Sequence, residues 1–130
     1  MKETPSGPCE KNGKQTQDMI IKILTDEKLS AFKTMLEKNH AIDCILLLML
    51  EKGQWKLAKD FMRKLELTIS DGTYRARMLE CEDNRIANHE NIDAKKKRWI
   101  ITNFGKQIGG LLLSFFSYVE DGKQDQLLED

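Results

Sequence analysis

The sequence predicts an all-α fold, and three observations support this. The only prolines are Pro5 and Pro8, so the rest of the 130-residue chain contains no residue that breaks a helix from within. Apolar residues recur three and four positions apart along several segments, as they do on one face of an α-helix. Residues 42–50 and 108–119 are apolar nearly all round, which predicts that they lie at the centre of a helical bundle.

The first part of the chain predicts two helical segments. The first follows an N-cap at Thr16 and ends at Asn39-His40, with a break or kink at Thr25-Asp26. The second is the apolar run 42–50, for which Gly53 is the predicted C-terminal stop.

The second part predicts further helices separated by polar segments. Residues 55–65 are amphipathic, and a turn at 70–73 leads into a helix that ends near Asp83. A hairpin of strands 67–69 and 74–78 is the alternative to that helix. The remaining predicted elements are a polar loop over 82–97, a short helix over 92–100, the long helix 103–119, a turn at Asp121-Gly122 and a last helical turn over 124–128.

Composition predicts one globular domain over residues 15–130, preceded by a disordered polar leader over residues 1–14. Basic and acidic residues number 21 each, so the formal net charge is zero and no attraction to nucleic acid or to an anionic membrane is predicted. The longest apolar runs are shorter than the roughly 20 residues that cross a bilayer. We therefore expect a cytoplasmic protein without a stable membrane anchor.

The sequence contains no arrangement of residues typical of an enzyme, and it predicts no cofactor and no metal site. Cys9, Cys44 and Cys81 are widely spaced, which is typical of reduced thiols in the cytosol. A nucleophilic cysteine paired with His40 or His89 is the alternative reading, although no local pattern supports it.

The basic run Lys95-Lys96-Lys97-Arg98 is interpreted as a solvated face, and a local contact with an anion or an acidic peptide is the alternative. The two tryptophans are predicted to anchor the core. Phe115, Phe116 and Tyr118 are predicted to lie in the core as well.

The most informative segment begins with Asn103-Phe104-Gly105-Lys106 and continues into Gln107-Ile108-Gly109-Gly110-Leu111-Leu112-Leu113. Glycine is costly inside a helix, so its use here indicates close approach of another backbone. The first four residues resemble the Asn-Trp-Gly-Arg signature of the BH1 motif in the Bcl-2 family of apoptosis regulators. Residues 61–67 (FMRKLEL) also resemble a Met-Leu-Arg-Lys-Leu-Asp-Ile segment of that family's myeloid-leukaemia branch.

This resemblance implies a Bcl-2-like helical bundle around a central apolar helix, with a surface groove that binds BH3 helices of pro-apoptotic partners. It implies that Lys106 pairs with the acidic residue of the bound helix, in place of the family's arginine. Asn103 would hydrogen-bond near that acid and occupy the N-cap position. Gly105 and Gly109 would admit the partner backbone, and Ile108 and Gly109 would lie on the groove floor.

The expected function is therefore sequestration of BH3 helices by a divergent anti-apoptotic protein of viral type, acting in the host cytoplasm. The family's second motif, a Trp followed by Gly-Gly-Trp, has no counterpart after Val119. Missing helices would leave apolar surface exposed, so a homodimer is expected. The alternative class is a helical interaction module that ignores BH3 helices, such as a death-fold adaptor or an inhibitor of innate signalling.

Overall fold

A computed structural model describes the backbone of residues 8–129 and the side chains of residues 13–122. Within these residues the chain is mostly helical, with six α-helices and one two-stranded antiparallel sheet. The predicted dominance of helices is confirmed. Contacts divide the chain into two compact units, Met1–Asn39 and His40–Asp130, and each is described by itself. The single domain predicted over 15–130 stays a prediction.

The N-terminal unit contains two consecutive helices, α1 (Pro8–Thr25) and α2 (Glu27–Glu37). Asp26 separates them, because its backbone is extended and its carboxylate accepts from the amides of Lys28 and Leu29 at 2.9 and 3.1 Å. An acceptor at this position satisfies amides that have no partner inside the helix. The predicted break at Thr25-Asp26 is confirmed.

The start of α1 differs from the predicted start. Residues 8–14 are helical, although the sequence places them in a disordered leader, and Thr16 lies inside the helix rather than at its N-cap. Glycine and polar residues lower the helix propensity of this segment. They do not prevent the segment from joining the helix that follows it. Residues 1–7 of the predicted leader lie outside the described residues.

The C-terminal unit contains four helices and the sheet in its described part. In chain order these elements are α3 (Ala41–Met49), α4 (Trp55–Lys64), α5 (Asp71–Asp83), β1 (Ala87–Asn91), β2 (Lys97–Ile101) and α6 (Asn103–Glu129). Helix α5 confirms the helix predicted to end near Asp83 and excludes the alternative hairpin over 67–78.

The core of this unit is formed mainly by α3 and α5. The largest side chains that are almost completely buried in it are Ile45, Leu48, Tyr74, Met78, Ile86, Cys44 and Cys81. Most of the apolar run 42–50 therefore lies in the interior, as predicted, whereas Leu50 at its end is 54% exposed. The Tyr74 ring packs 5.1 Å from Trp55 and 6.4 Å from Trp99 between centroids, and its hydroxyl donates to the Lys52 carbonyl oxygen at 2.6 Å.

Helices α3, α4 and α5 all end in the same way. Each is followed by a residue in the left-handed conformation, and the amide of the next residue closes the end by bonding back to a carbonyl five positions earlier. The left-handed residues are Glu51, Glu66 and Arg85, with φ of 60°, 57° and 65°. Glycine is the usual residue there, and the sequence predicts Gly53 as the stop of α3. The stop is Glu51 instead, and no glycine among the described residues has a positive φ.

Strands β1 and β2 form a hairpin in which Ala87 pairs with Ile101 and His89 with Trp99. The sequence predicts a loop and a short helix here, and this prediction is wrong. Only Ala87 is buried on β1, so the strand lacks the alternating pattern that identifies a half-buried strand. Asp93 stabilises the connecting loop by accepting from the amides of Lys95 and Lys96 at 2.8 and 2.9 Å.

Helix α6 continues without interruption to Glu129, through the turn predicted at Asp121-Gly122. It is also not the central helix that the sequence predicts over 108–119. Its first two turns bury Gly105 and Gly109, whereas the side chains of Phe115, Phe116 and Tyr118, which are predicted in the core, are exposed. Helix α6 therefore has apolar residues on all of its sides but is not buried on all of its sides.

Candidate functional site

The segment that resembles the BH1 motif forms the first turns of α6, and Thr102 caps them. The Thr102 hydroxyl oxygen accepts from the Gly105 amide at 2.9 Å, and the hydroxyl can donate to the Arg85 carbonyl oxygen at 2.7 Å. The Thr102 amide donates to the Ile86 carbonyl oxygen at 2.9 Å. The N-cap is thus Thr102 and not Asn103, and these bonds attach the start of α6 to the end of α5.

Gly105 and Gly109 are both buried against other parts of this chain. A side-chain carbon on Gly105 would overlap the Ile86 carbonyl oxygen and would lie 2.7 Å from Cγ1 of Ile101. A side-chain carbon on Gly109 would overlap the Met49 sulfur. The close approach that the two glycines permit is therefore made by the chain itself, which occupies the space assigned to a partner backbone.

The other three predicted site residues point in different directions around the helix. Asn103 is exposed as the first residue of α6, Lys106 is exposed, and Ile108 is half-buried. Successive residues of an α-helix are rotated by roughly 100°, so Lys106 and Ile108 point to nearly opposite sides. The five predicted residues lie together along the sequence but spread around the helix.

A different surface of α6 is exposed and apolar. Leu111, Phe115 and Tyr118 are 67%, 58% and 77% exposed. Their spacing of four and three residues places them on one face of the helix, and Ile108 lies at the start of the same face. We call Leu111, Phe115 and Tyr118 the α6 stripe.

Lys106 lies away from the α6 stripe. It is nine residues from Phe115, which corresponds to a rotation of about 180°. Leu113, which is 52% exposed, lies on the side of Lys106. A single straight helix docked along α6 can contact the stripe or Lys106, but it cannot contact both.

A group of polar side chains, separate from α6, joins α5 to the hairpin. The Nδ1 atom of His89 lies 2.8 and 2.9 Å from the two carboxylate oxygens of Glu82, and the Trp99 indole N–H donates to the same carboxylate at 3.1 Å. Hydrogen bonding from His89, followed by that from Trp99, favours the ionised form and lowers the pKa of Glu82 below its ordinary value. These contacts hold Trp99 in place, and 4% of its surface is exposed. The predicted role of this tryptophan as a core anchor is confirmed.

Cys44 and Cys81 are free thiols buried between α3 and α5. Burial raises the pKa of each thiol from 9.0 to about 12, because the thiolate would lose its solvation. At neutral pH both are protonated thiols, which are weak nucleophiles and poor metal ligands. No group of three or more His, Cys, Asp or Glu residues within the described residues is arranged to hold a metal ion.

No helix of the described residues combines the length and apolar character that a membrane crossing requires. Comparison with models of protein families, with curated proteins and with solved structures gave no match.

Sequence reasoning located the start of α6 but missed the surface that α6 exposes. It placed Phe115 and Tyr118 in the core because apolar residues on all sides of a helix are usually buried. The spacing of Ile108, Leu111, Phe115 and Tyr118 is visible in the sequence and could have marked one continuous face. Nothing in the sequence indicated that residues 86 and 49 would fill the space beside the two glycines.

Proposed function

We propose that this chain is a divergent anti-apoptotic Bcl-2-like protein, which binds amphipathic helices of the BH3 class and holds them away from their targets. The observation that carries the proposal is the exposed α6 stripe, which directly follows the segment resembling the BH1 motif. The mostly helical structure of the described residues is compatible with a binding module. A partner bound to this surface is not free to bind its other targets, so binding lowers its effective concentration by mass action.

The α6 stripe suits an amphipathic helix better than a small ligand. Its side chains lie at i, i+4 and i+7, which is the spacing of the apolar anchors on such a helix. Burying one large apolar side chain contributes roughly 1.5–3 kcal/mol, so a few such contacts can offset the cost of association. The stripe is therefore the proposed contact surface, and pairing of an acidic partner residue with Lys106, on the other side of α6, is the alternative mode of binding.

The test is calorimetric titration of the full chain with a panel of BH3 peptides, in which we expect at least one dissociation constant below about 10 μM. Leu111→Glu should weaken that binding by roughly tenfold or more, because it places a charge on the stripe. Leu113→Glu is the matched control, since it makes the same change at a similarly exposed leucine on the other side of α6. Failure of every peptide to bind would exclude the BH3 proposal.

Lys106→Glu separates the two modes of binding on α6. If the partner pairs with Lys106, as the family resemblance implies, the substitution places like charges together and weakens binding. If the partner lies along the stripe, Leu111→Glu weakens binding and Lys106→Glu changes it little. Equal binding by both variants and the wild type would show that neither face is used.

A second candidate is a helical interaction module that does not bind BH3 helices, in the manner of a death-fold adaptor or an inhibitor of innate signalling. The observation that favours it is the burial of Gly105 and Gly109 against Ile86 and Met49. Under this candidate the peptide panel gives no binding, while the stripe still mediates association. Light scattering at tens of micromolar would then show a dimer for the wild type and a monomer for Leu111→Glu.

A further inference from the structure

A small basic pocket lies at the start of α4, away from α6. It is lined by Gln54, Trp55, Lys56, Arg75, Lys96 and Lys97, and its volume is about 110 Å³. Four of these six residues are cationic, and they come from α4, α5 and the hairpin. The whole chain has no net charge, so this concentration of positive charge is local.

The backbone contact between Gly53 and Trp99 brings these elements together. The Trp99 amide donates to the Gly53 carbonyl oxygen at 2.9 Å, which holds β2 beside the segment that precedes α4. Lys97 begins β2 and Lys56 lies in the first turn of α4, so the contact places two lysines from distant parts of the sequence at one cavity.

Acidic residues neutralise only part of this charge. Asp71 pairs with Arg75 at 2.6 Å, and the Glu82 carboxylate is close enough to Lys97 to be stabilised by it. None of the ion pairs found among the described residues involves Lys56 or Lys96. Like charges held together without counter-charges repel one another, and a bound anion would relieve that repulsion.

We propose that this pocket binds a phosphate group. A volume of about 110 Å³ is far below the roughly 300–1,000 Å³ of pockets that enclose a drug-sized ligand, so it fits one compact anion and little more. Phosphate carries about −1.5 to −2 charges at neutral pH and suits the positive charge that remains at Lys56 and Lys96 better than a single carboxylate does. The arginine adds planar donors that match phosphate oxygens. The group can belong to a small molecule or to a phosphorylated peptide.

The experiment is a titration of the full chain followed by the indole N–H signals in two-dimensional NMR. Inorganic phosphate and pyrophosphate test the small-molecule source, and a phosphoserine peptide with its unphosphorylated counterpart tests the peptide source. The Trp55 signal should shift and saturate. The Trp99 signal should shift less, because that indole is buried and bonded to Glu82 and does not line the pocket. Binding should weaken as the salt concentration rises.

The double variant Lys56→Gln, Lys96→Gln should weaken binding by roughly fivefold or more. The double variant Lys59→Gln, Lys64→Gln is the matched control, since it removes two exposed lysines of α4 that do not line the pocket and should bind as the wild type does. Saturable binding by any phosphate source, lost in the double variant, supports the proposal. Shifts that do not saturate, that sodium chloride reproduces or that persist in the double variant would overturn it. Because no lining residue lies on α6, this result is independent of the BH3 titration.

Discussion

Gly53 and Trp99 meet through their backbones. The Trp99 amide donates to the Gly53 carbonyl oxygen at 2.9 Å, and a side-chain carbon on Gly53 would overlap the Trp99 carbonyl group. The atoms that would clash belong to the Trp99 backbone and not to a flexible side chain, so this position tolerates only glycine. The contact joins the hairpin to the α3–α4 connection and thereby shapes both the aromatic cluster and the basic pocket.

Gly53→Ala should therefore lower the free energy of unfolding by about 2 kcal/mol or more, since it forces the two backbones apart. Gly110→Ala is the control, because a side-chain carbon there would meet no atom within 4 Å. It should raise stability by up to about 1 kcal/mol through better helix propensity. Urea unfolding measures both, and an unchanged midpoint for Gly53→Ala would contradict the contact.

The two buried glycines of α6 should respond differently to alanine. Gly105 faces the Ile86 carbonyl oxygen, which is backbone, whereas Gly109 faces the flexible Met49 side chain. We expect Gly105→Ala to cost about 2 kcal/mol or more and Gly109→Ala roughly half of that, because methionine can change rotamer. The same unfolding measurements test the order. A larger loss for Gly109→Ala would show that the Met49 side chain cannot move.

Glu82 should make stability depend on pH in the acidic range. Its pKa in the folded chain lies below the ordinary 4.5, chiefly because His89 hydrogen-bonds its carboxylate, so the unfolded chain takes up the proton more readily. The stabilisation is fully present above the unfolded pKa and is lost as the pH falls through the folded pKa. Glu82→Gln should lower stability at neutral pH and flatten the acidic part of the profile. His89→Ala should act in the same direction, and a profile identical to wild type for both variants would contradict the interaction.

The left-handed residues that end three helices should be sites where glycine is stabilising. This conformation raises the energy of a residue with a side chain by roughly 1–2 kcal/mol, whereas glycine adopts it without that cost. Glu66 is exposed, with a φ of 57°, so Glu66→Gly should raise the free energy of unfolding by roughly 0.5–1 kcal/mol after its greater chain entropy is counted. Arg63→Gly, in the last turn of α4, is the control and should be destabilising. Equal losses in both variants would contradict the role of φ.

The sequence predicted most helices because their signals are local. The apolar run in α3, the amphipathic residues of α4 and the break at Thr25-Asp26 can each be recognised without knowledge of neighbouring elements. The hairpin was missed because its stability comes from pairing between strands and from Trp99, which depend on residues far apart in the sequence. The end of α3 at Glu51 was missed because a non-glycine left-handed residue carries no clear signal.

The candidate site was predicted only in its position along the chain. The sequence singles out Gly105 and Gly109 correctly as points of close approach, but it cannot say which backbone or side chain approaches. The basic pocket could not be predicted as a whole, because Lys56, Arg75 and Lys97 come together only through the hairpin and the Gly53 contact. The run of lysines at 95–97 is visible in the sequence, whereas the residues that complete the lining of the pocket are not.

The uneven burial of α6 has a consequence for its motions. At 27 residues the helix is about 40 Å long, and its anchored glycines lie in the first two turns while the stripe lies further along. Amide hydrogens within the stripe should therefore exchange with solvent faster than those near Gly109, since the stripe side chains are exposed and Gly109 is buried. A partner on the stripe would slow that exchange. Hydrogen exchange within the stripe thus measures how much of this surface is occupied, and ordering of this part of the helix would lower the net binding free energy.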